Sequence, residues 1–303
     1  MIRILFNLNF FLLIIFFANI SFAQKTFINS DPYKSYKKAQ ELFDKEKYSS
    51  AQYYFKDVIN KFHNPQDEIR INAEYYFAVC ALNLYHRNVE TILTRFSLDH
   101  PDHPKSKNIY FQLGKHYYQT KKFNKSIEFF DKVDQYDLSA EDQNEFLFKL
   151  GYSNFMKNNQ SDAKVLFSEL LQNKTNYDVP ATYYFSHIAY MEGKYQTALE
   201  GFKKISENKM FKPIIPYYIT QILYQQNKYN ELIEYAPSYM DSITDKRKGE
   251  FAKLIGDSYF KNKDFLKSLE YYKIFKKSSK STRESNYQVA FCYYKTKKYK
   301  QCI

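Results

Sequence analysis

The stretch ATYYFSHIAYMEGKYQTALEGFKKI, residues 181–205, decides the fold because the rest of the chain repeats it. Its apolar residues recur at three- and four-residue spacing, which predicts two short amphipathic helices rather than strands. The residues between them, 192–194, contain Gly193 and predict a tight turn. Small and aromatic residues at fixed positions mark the unit: Ser186, Tyr195, Ala198 and Phe202.

The small residue of the first helix recurs along the whole chain, at Ala39, Cys80, Gly114, Gly151, Ser186, Thr220, Gly256 and Ala290. Twelve residues after each lies the expected crossing point of the second helix, at Ala51, Ile92, Ser126, Ala163, Ala198, Leu232, Ser268 and Cys302. Successive units are 41, 34, 37, 35, 34, 36 and 34 residues apart. This period predicts a repeat array in which each unit buries its apolar face against its neighbours.

Two units lie close to a known family pattern, Leu113-Gly114 with Tyr117, Phe123, Ser126 and Phe130, and Ile255-Gly256 with Tyr259, Phe265, Ser268 and Tyr272. The chain therefore resembles the tetratricopeptide repeat (TPR) family. The resemblance implies an all-α, right-handed α-solenoid of antiparallel helix pairs over residues 31–303, with about 7.5 repeats. The chain departs from the family in having no Trp and few prolines between repeats.

Small residues at a helix crossing let the two backbones approach to about 8–10 Å. The aromatic residue four positions later is expected to fill the wedge to the next unit, at Phe55, Phe96, Phe130, Phe167, Phe202 and Tyr272. Two units look irregular. The interval of 41 residues predicts an insertion around residues 63–66, and Pro237 predicts a break in the second helix of the sixth unit.

Residues 1–23 have the pattern of a secretory signal peptide, with Arg3, an apolar run and small residues at Ser21 and Ala23 before a cut. The alternative is an uncleaved membrane anchor, which the apolar length barely permits. A short linker, 24–30, precedes a helix start at Asp31-Pro32. We therefore expect an exported, periplasmic protein. We expect any association with the outer membrane to be through a partner. Because the sequence stops inside an eighth repeat, we expect either a longer array or a truncated gene.

Removal of the leader lowers the formal net charge from +12 to +11. A basic balance is compatible with nucleic acid, an anionic membrane surface or acidic partners. Export argues against nucleic acid. The lysines lie mainly at helix ends and turns, as in Lys121-Lys122 and Lys297-Lys298, which is also typical of the solvated faces of a soluble protein.

No sequence pattern predicts an enzyme, because phosphate loops, nucleophile elbows and HExxH motifs are absent from the sequence. The segment 99–104, DHPDHP, has two Asp and two His but lacks a second cluster of ligands, so we interpret it as a turn between repeats rather than a metal site. Cys80 and Cys302 are interpreted as packing residues, and a disulfide between Cys292 and Cys302 stays open. We expect no cofactor.

The family resemblance places the first helix of each unit along a concave groove, with the residues three before and four after the small landmark pointing into it. Fourteen of these sixteen residues are aromatic. The candidate partner-binding residues are Phe111, Tyr118, Phe148, Phe155, Tyr183, His187, Tyr190, Tyr217 and Tyr224. Two interpretations remain: packing residues that the repeat requires, or an aromatic groove for a peptide or protein.

The leader and the repeat register resemble those of long exported bacterial TPR proteins, some of which belong to TonB-linked transport systems and others to outer-membrane assembly. The resemblance implies a non-enzymatic scaffold that binds a protein or peptide of the cell envelope. Two alternatives are an envelope glycan-binding protein, against which the lack of Trp counts, and a regulatory repeat region of a longer enzyme.

Overall fold

A computed structural model of the chain describes residues 31–172, 174–278 and 282–302. The predicted signal peptide, 1–23, and linker, 24–30, lie outside these ranges. The chain divides into two compact units, residues 1–116 and 117–303, which are described separately.

The described residues form helices joined by turns and contain no β-strand. The first unit holds α1 (Pro32–Asp44), α2 (Tyr48–Lys61), α3 (Glu68–Asn83), α4 (Val89–Asp99), α5 (Pro104–Lys107) and the start of α6 (Ile109–Gln119). The second holds α7 (Phe123–Phe130), α8 (Ala140–Met156), α9 (Gln160–Leu170), α10 (Asp178–Met191), α11 (Tyr195–Lys204), α12 (Ile215–Gln225), α13 (Tyr229–Tyr235), α14 (Asp245–Lys261), α15 (Phe265–Ser278) and α16 (Arg283–Lys295). Short 3₁₀ helices follow at Gln135–Asp137, Ala236–Tyr239 and Tyr299–Gln301.

Each helix pair closes through the same tight turn. One residue in each turn has a positive φ, between 56° and 74°: Glu46, Tyr85, Lys121, Asn158, Gly193, Asn227, Lys263 and Lys297. The next amide donates to the carbonyl five residues back, as Lys194 N does to Ala189 O at 2.8 Å. This hydrogen bond caps the first helix and reverses the chain, so the second helix returns antiparallel to the first.

The small landmarks and the wedge aromatics are buried as predicted. Seven of the eight landmarks of the first helices are buried, Ala290 being half-buried. A Cβ added at Gly151 would lie 2.9 Å from Phe167, and one at Gly256 would lie 2.9 Å from Tyr272. The small residue is therefore needed because the aromatic of the second helix packs directly on the backbone of the first.

The wedge aromatics also join successive pairs. The ring of Phe167 stacks on Tyr184 of the next pair at 5.7 Å, and Phe202 stacks on Tyr218 at 5.2 Å. Both aromatics are completely buried. Full burial of such a ring contributes about 1.5–3 kcal/mol, so this series of stacked rings supplies much of the apolar core of the second unit.

In the second unit, consecutive first helices lie side by side with a constant offset. The residue four positions after the landmark of one first helix contacts the residue one position after the landmark of the next first helix. These contacts are Tyr118 with Tyr152, Phe155 with His187, Tyr190 with Gln221, and Phe260 with Phe291. Each first helix is therefore shifted by three residues against its neighbour. Because these helices run in the same direction, the turns of their pairs lie along one edge of the unit.

The structure corrects the predicted insertion between the first and second helix pairs. The segment 62–67 between α2 and α3 is an ordinary linker of six residues rather than an insertion. The extra length lies in α2, which has 14 residues, and in the turn 84–88, which has five where the other pairs have three. By the position of the positive-φ residue, Ala78 rather than Cys80 is the landmark of α3.

Two local predictions are confirmed. The Asp31 carboxylate accepts a hydrogen bond from Tyr33 N at 3.1 Å, and Pro32 is the first residue of α1. At the sixth pair, α13 ends at Tyr235 and the chain continues as a 3₁₀ helix that contains Pro237. Proline removes a backbone donor and clashes with the preceding turn, which explains the end of the α-helix.

The all-α, TPR-like helix-pair fold is thus confirmed, while the number of repeats stays a prediction. Within the described ranges, no helix combines the length and apolar character needed to cross a membrane.

Candidate functional site

The predicted groove residues three positions before each landmark are mainly packing residues. Phe111, in the first unit, is completely buried. In the second unit Phe148, Tyr183 and Tyr217 are also buried, with at most 9% of each residue exposed. The ring of Tyr183 is covered by Phe211 from the following linker, stacked at 4.4 Å. These aromatic rings therefore contribute mostly to the core.

The candidate residues four positions after a landmark are half-buried. Tyr118, Phe155, Tyr190 and Tyr224 all belong to this class, and each lies on the face that the first helices of the second unit share. Burial, assisted by the negative charge of Asp257, raises the pKa of Tyr224 to about 12. These hydroxyls are therefore neutral hydrogen-bonding groups on an apolar surface, which is the combination that protein interfaces use.

A directed chain of hydrogen bonds crosses three first helices of the second unit. Tyr190 on α10 donates to Gln221 Oε1 on α12 at 2.9 Å, and Gln221 Nε2 donates to Tyr217 Oη at 2.8 Å. Tyr217 in turn donates to Glu250 Oε2 on α14 at 2.5 Å. Every donor in this chain of hydrogen bonds points toward Glu250. The Glu250 carboxylate keeps lone pairs that can accept a hydrogen bond from a bound partner.

Arg247 lies one helical turn before Glu250 and stacks on two tyrosines. Its guanidinium carbon is 5.2 Å from the ring centroid of Tyr217 and 5.8 Å from that of Tyr218. Among the residues that the structure describes, none forms a hydrogen bond or ion pair with this guanidinium. The two rings orient the planar group while its N–H donors remain available, an arrangement suited to a carboxylate. Tyr190, Tyr217, Gln221, Arg247 and Glu250 are called the polar strip below.

His187 lies beside the polar strip in a cage of aromatic rings. Phe155 and Tyr218 contact it edge-on at 5.5 and 5.2 Å, and Tyr183 and Tyr190 lie at 6.2 and 6.4 Å. Its Nδ1 is buried and has no hydrogen-bond partner in the described part of the chain. Burial, and then the positive charge of Arg247, lower the pKa of His187. The imidazole is accordingly neutral near pH 7.

A second aromatic group lies on α6, α8 and α10 and on Tyr177, the residue before α10. Tyr118 and Tyr152 contact edge-on at 5.5 Å, and Tyr152 and Tyr184 at 5.1 Å. Phe148 stacks on Tyr177 at 4.9 Å. Burial, followed by the neighbouring Tyr152 and Tyr177, raises the pKa of Tyr118 to about 12. The structure thus brings eight of the nine candidate residues onto the same unit, while their binding role stays a prediction.

The sequence did not predict three residues that contact the candidate binding residues: Tyr184, Tyr218 and Arg247. The pairs Tyr183-Tyr184 and Tyr217-Tyr218 occur at the same position of two successive units, and this doubling was a usable signal. Arg247 had no such signal, because it lies before the repeat landmarks of α14 and is brought to the surface by the packing of that helix on α12.

The DHPDHP segment in the first unit makes specific contacts with α3. His100 Nε2 lies 2.7 Å from Glu74 Oε2, and His103 Nε2 lies 3.4 Å from Glu68 Oε1. His103 Nδ1 also accepts a hydrogen bond from Lys105 N and so caps α5. Within the described residues, no group of three or more His, Cys, Asp or Glu side chains is arranged to hold a metal. Each histidine thus joins the turn to α3.

The three cysteines are free thiols. Cys80 and Cys292 are buried, and Cys292 Sγ packs 3.6 Å from Ser268 Oγ. Cys80 is completely buried and so is a packing residue, as predicted, although Ala78 and not Cys80 is the landmark of α3.

Comparisons with known proteins find structures of similar fold but low identity. One is a tetratricopeptide repeat protein from Parabacteroides merdae, 12% identical, covering 86% of this chain and 98% of its own, with a TM-score of 0.48. Another is the C-terminal part of a TPR repeat-containing protein from Cytophaga hutchinsonii, 14% identical, covering 93% and 95%, with a TM-score of 0.47. A third is pilF of Pseudomonas aeruginosa, 15% identical, covering 65% and 86%, with a TM-score of 0.47.

No family model and no curated protein matches the chain. Because every one of these TM-scores is below 0.5, the assignment of the fold rests on the helix pairs, turns and landmark contacts of the chain itself.

Proposed function

We propose that the chain is a non-enzymatic scaffold that binds an extended protein segment across α10, α12 and α14. The observation that carries the proposal is the polar strip, in which a guanidinium with no acceptor among the described residues lies beside a chain of neutral hydroxyl and amide groups. TPR folds generally bind protein or peptide partners, and this surface has the aromatic and polar groups that such binding requires.

The polar strip also specifies the chemistry of the segment. Arg247 offers several N–H donors in one plane, which match the two oxygens of a carboxylate. Glu250, one helical turn from Arg247, and the hydroxyl of Tyr190, on α10, offer acceptors that match backbone or side-chain N–H groups. We infer a segment that places an acidic side chain on Arg247 and backbone amides along α12.

We further propose that the protein works in the periplasm, where its partner is associated with the cell envelope. The signal-peptide pattern of residues 1–23 supports this location. A role within a TonB-linked transport system or in outer-membrane assembly follows from the resemblance to long exported TPR proteins and is part of the same proposal.

A peptide array tests the chemistry of the polar strip. The full chain is applied to immobilised peptides that tile the exported proteins of the source cell, and bound segments are then resynthesised with each acidic residue changed to its amide. One such change should weaken binding by about 1.5–3 kcal/mol, the contribution of a hydrogen bond to a charged group. The same change should have almost no effect on the Arg247→Gln variant, because the two groups act as one pair.

Arg283→Gln is the matched control, since it removes the same charge from an exposed position on α16. Binding that is insensitive to Arg247→Gln, or reduced equally by Arg283→Gln, would contradict the proposed site. Binding of glycans but not peptides would favour the alternative of an envelope glycan-binding protein.

A further inference from the structure

The turns of the helix pairs form a basic edge along the second unit. Six turns contribute, residues 120–122, 157–159, 192–194, 226–228, 262–264 and 296–298. Together these described residues carry eight lysines, Lys121, Lys122, Lys157, Lys194, Lys228, Lys263, Lys297 and Lys298, and only two carboxylates, Glu192 and Asp264. The constant three-residue offset of the first helices places all six turns on the same edge.

The linkers between pairs, at the opposite edge, have no such bias. The described linker residues 131–139, 171–177, 205–214 and 236–244 carry five carboxylates and four lysines. Two of these lysines have carboxylate partners, Lys132 with Glu128 at 3.2 Å and Lys212 with Glu207 at 3.1 Å. Of the segments that connect the helices, the turns therefore carry the excess of positive charge.

Most lysines of the turn edge are exposed and unneutralised. Lys194 pairs with Glu192 at 2.9 Å, and Lys228 lies 3.8 Å from Glu231. The other six have no carboxylate within ion-pair distance among the residues that the structure describes. Lysines at successive turns repel one another, so a row of them is favourable mainly when an anionic surface is close.

Exposed apolar side chains lie among these lysines. Met156 precedes Lys157, Met191 precedes the turn 192–194, and Tyr299 follows Lys298, with 47%, 58% and 57% of each residue exposed. Such apolar side chains are not needed to bind a soluble polyanion by charge alone. A lipid surface does, because methionine and tyrosine insert at the boundary of the headgroups while lysines bind the phosphates.

We propose that the turn edge of the second unit binds an anionic phospholipid surface. The face formed by the first helices then lies beside the membrane and not against it. This is binding at the surface, without a spanning helix. The proposal is independent of the polar strip, because the lysines of the edge lie in the turns beyond the ends of the first helices.

Vesicle sedimentation of the full chain tests the proposal. Vesicles of phosphatidylcholine alone are compared with vesicles of equal parts phosphatidylcholine and phosphatidylglycerol, at low and near-physiological ionic strength. The phosphatidylcholine vesicles measure any binding through residues 1–23, which all variants share. We expect binding to the anionic vesicles that weakens as salt rises.

Two charge-matched variants locate the binding edge. The edge variant changes Lys121, Lys157, Lys263 and Lys298 to Gln, and the control variant changes Lys132, Lys174, Lys209 and Lys212 to Gln. The edge variant should bind anionic vesicles at least about tenfold more weakly, while the control variant should stay within about twofold of the unchanged chain. Far-ultraviolet circular dichroism verifies that both remain helical. Equal loss in both variants would mean a net-charge effect and would overturn the proposal.

A third variant separates a membrane from a soluble polyanion. Met156→Ser with Met191→Ser leaves every charge in place, and we expect it to weaken vesicle binding about threefold or more through the lost apolar contact. Unchanged vesicle binding by this variant would overturn the choice of a lipid surface and favour a soluble polyanion.

Discussion

The hydroxyl of Tyr190 donates a 2.9 Å hydrogen bond to Oε1 of Gln221, which joins the first helices of two successive helix pairs. The bond depends on the three-residue offset between these helices. That offset places Tyr190, four positions after the landmark Ser186, next to Gln221, one position after the landmark Thr220. Gln221 passes the chain on to Tyr217 and, through it, to Glu250. The geometry of the repeat thus assembles the polar strip from residues more than thirty positions apart in the sequence.

The Tyr190–Gln221 pair should contribute modestly to stability. Tyr190→Phe removes the donor without changing the ring, and Gln221→Leu removes both the acceptor and the donor to Tyr217. We expect each change to lower the free energy of unfolding by about 0.5–1.5 kcal/mol. Urea denaturation followed by circular dichroism measures the two variants and their combination. A double variant whose loss equals the sum of the single losses would show that the two residues are not coupled.

Gly256→Ala should destabilise the second unit although alanine favours helices. The new Cβ would lie 2.9 Å from the ring of Tyr272, whose hydroxyl is fixed by a 2.6 Å hydrogen bond to Asp257. The ring is buried, and it is fixed by its Cβ at one end and by the hydrogen-bonded hydroxyl at the other. We therefore expect a loss of about 1–3 kcal/mol in the free energy of unfolding.

Gly256→Ala combined with Tyr272→Leu provides the check, since the smaller side chain makes room for the added methyl group. The alanine should cost less in that background than in the unchanged chain. An alanine variant more stable than the unchanged chain would show that helix propensity outweighs the close packing.

The landmark pattern predicted most of the fold because small residues and aromatics are dictated by contacts within each repeat. Gly151 and Phe167, for example, contact each other directly, and their spacing is visible in the sequence. The second helix pair was placed less well, because the sequence does not show that the turn 84–88 is longer than the others. Arg247 was missed for a similar reason: its stacking on Tyr217 depends on packing between α12 and α14, which no local pattern encodes.

The positive-φ residue of each turn offers a pair of opposite predictions. Gly193 has φ of 74° and no atom within 4 Å of an added Cβ, so Gly193→Ala should be destabilising through backbone strain alone. Lys121 has φ of 57° with a side chain, so Lys121→Gly should relieve the same strain. We expect changes of about 1 kcal/mol in opposite directions in the free energy of unfolding. Changes of the same sign in both variants would contradict this explanation of the turns.

The buried imidazole of His187 should make stability depend on pH. Its pKa is lowered in the folded chain, so the folded state binds this proton less readily than the unfolded state. The contribution of His187 is therefore complete above the ordinary histidine pKa of about 6.5 and is lost as the pH falls below it.

His187→Phe keeps an aromatic ring in the cage but removes the titrating group. Between pH 7 and pH 5, the free energy of unfolding of this variant should fall less than that of the unchanged chain. His63→Gln, at an exposed position, is the control and should leave the decline as it is. Identical pH profiles for the unchanged chain and the His187→Phe variant would refute the assignment.

Site-specific photocrosslinking in cells of the source organism tests the central claim, that the first-helix face of the second unit binds a protein segment. A photoreactive amino acid replaces the half-buried Tyr224 on α12 or, as a control, the exposed Val165 on α9. We predict a discrete covalent adduct with one envelope protein from position 224, absent from position 165 and strongly reduced by Arg247→Gln. The same adducts at both positions, or an adduct at position 224 that Arg247→Gln leaves unchanged, would contradict the claim.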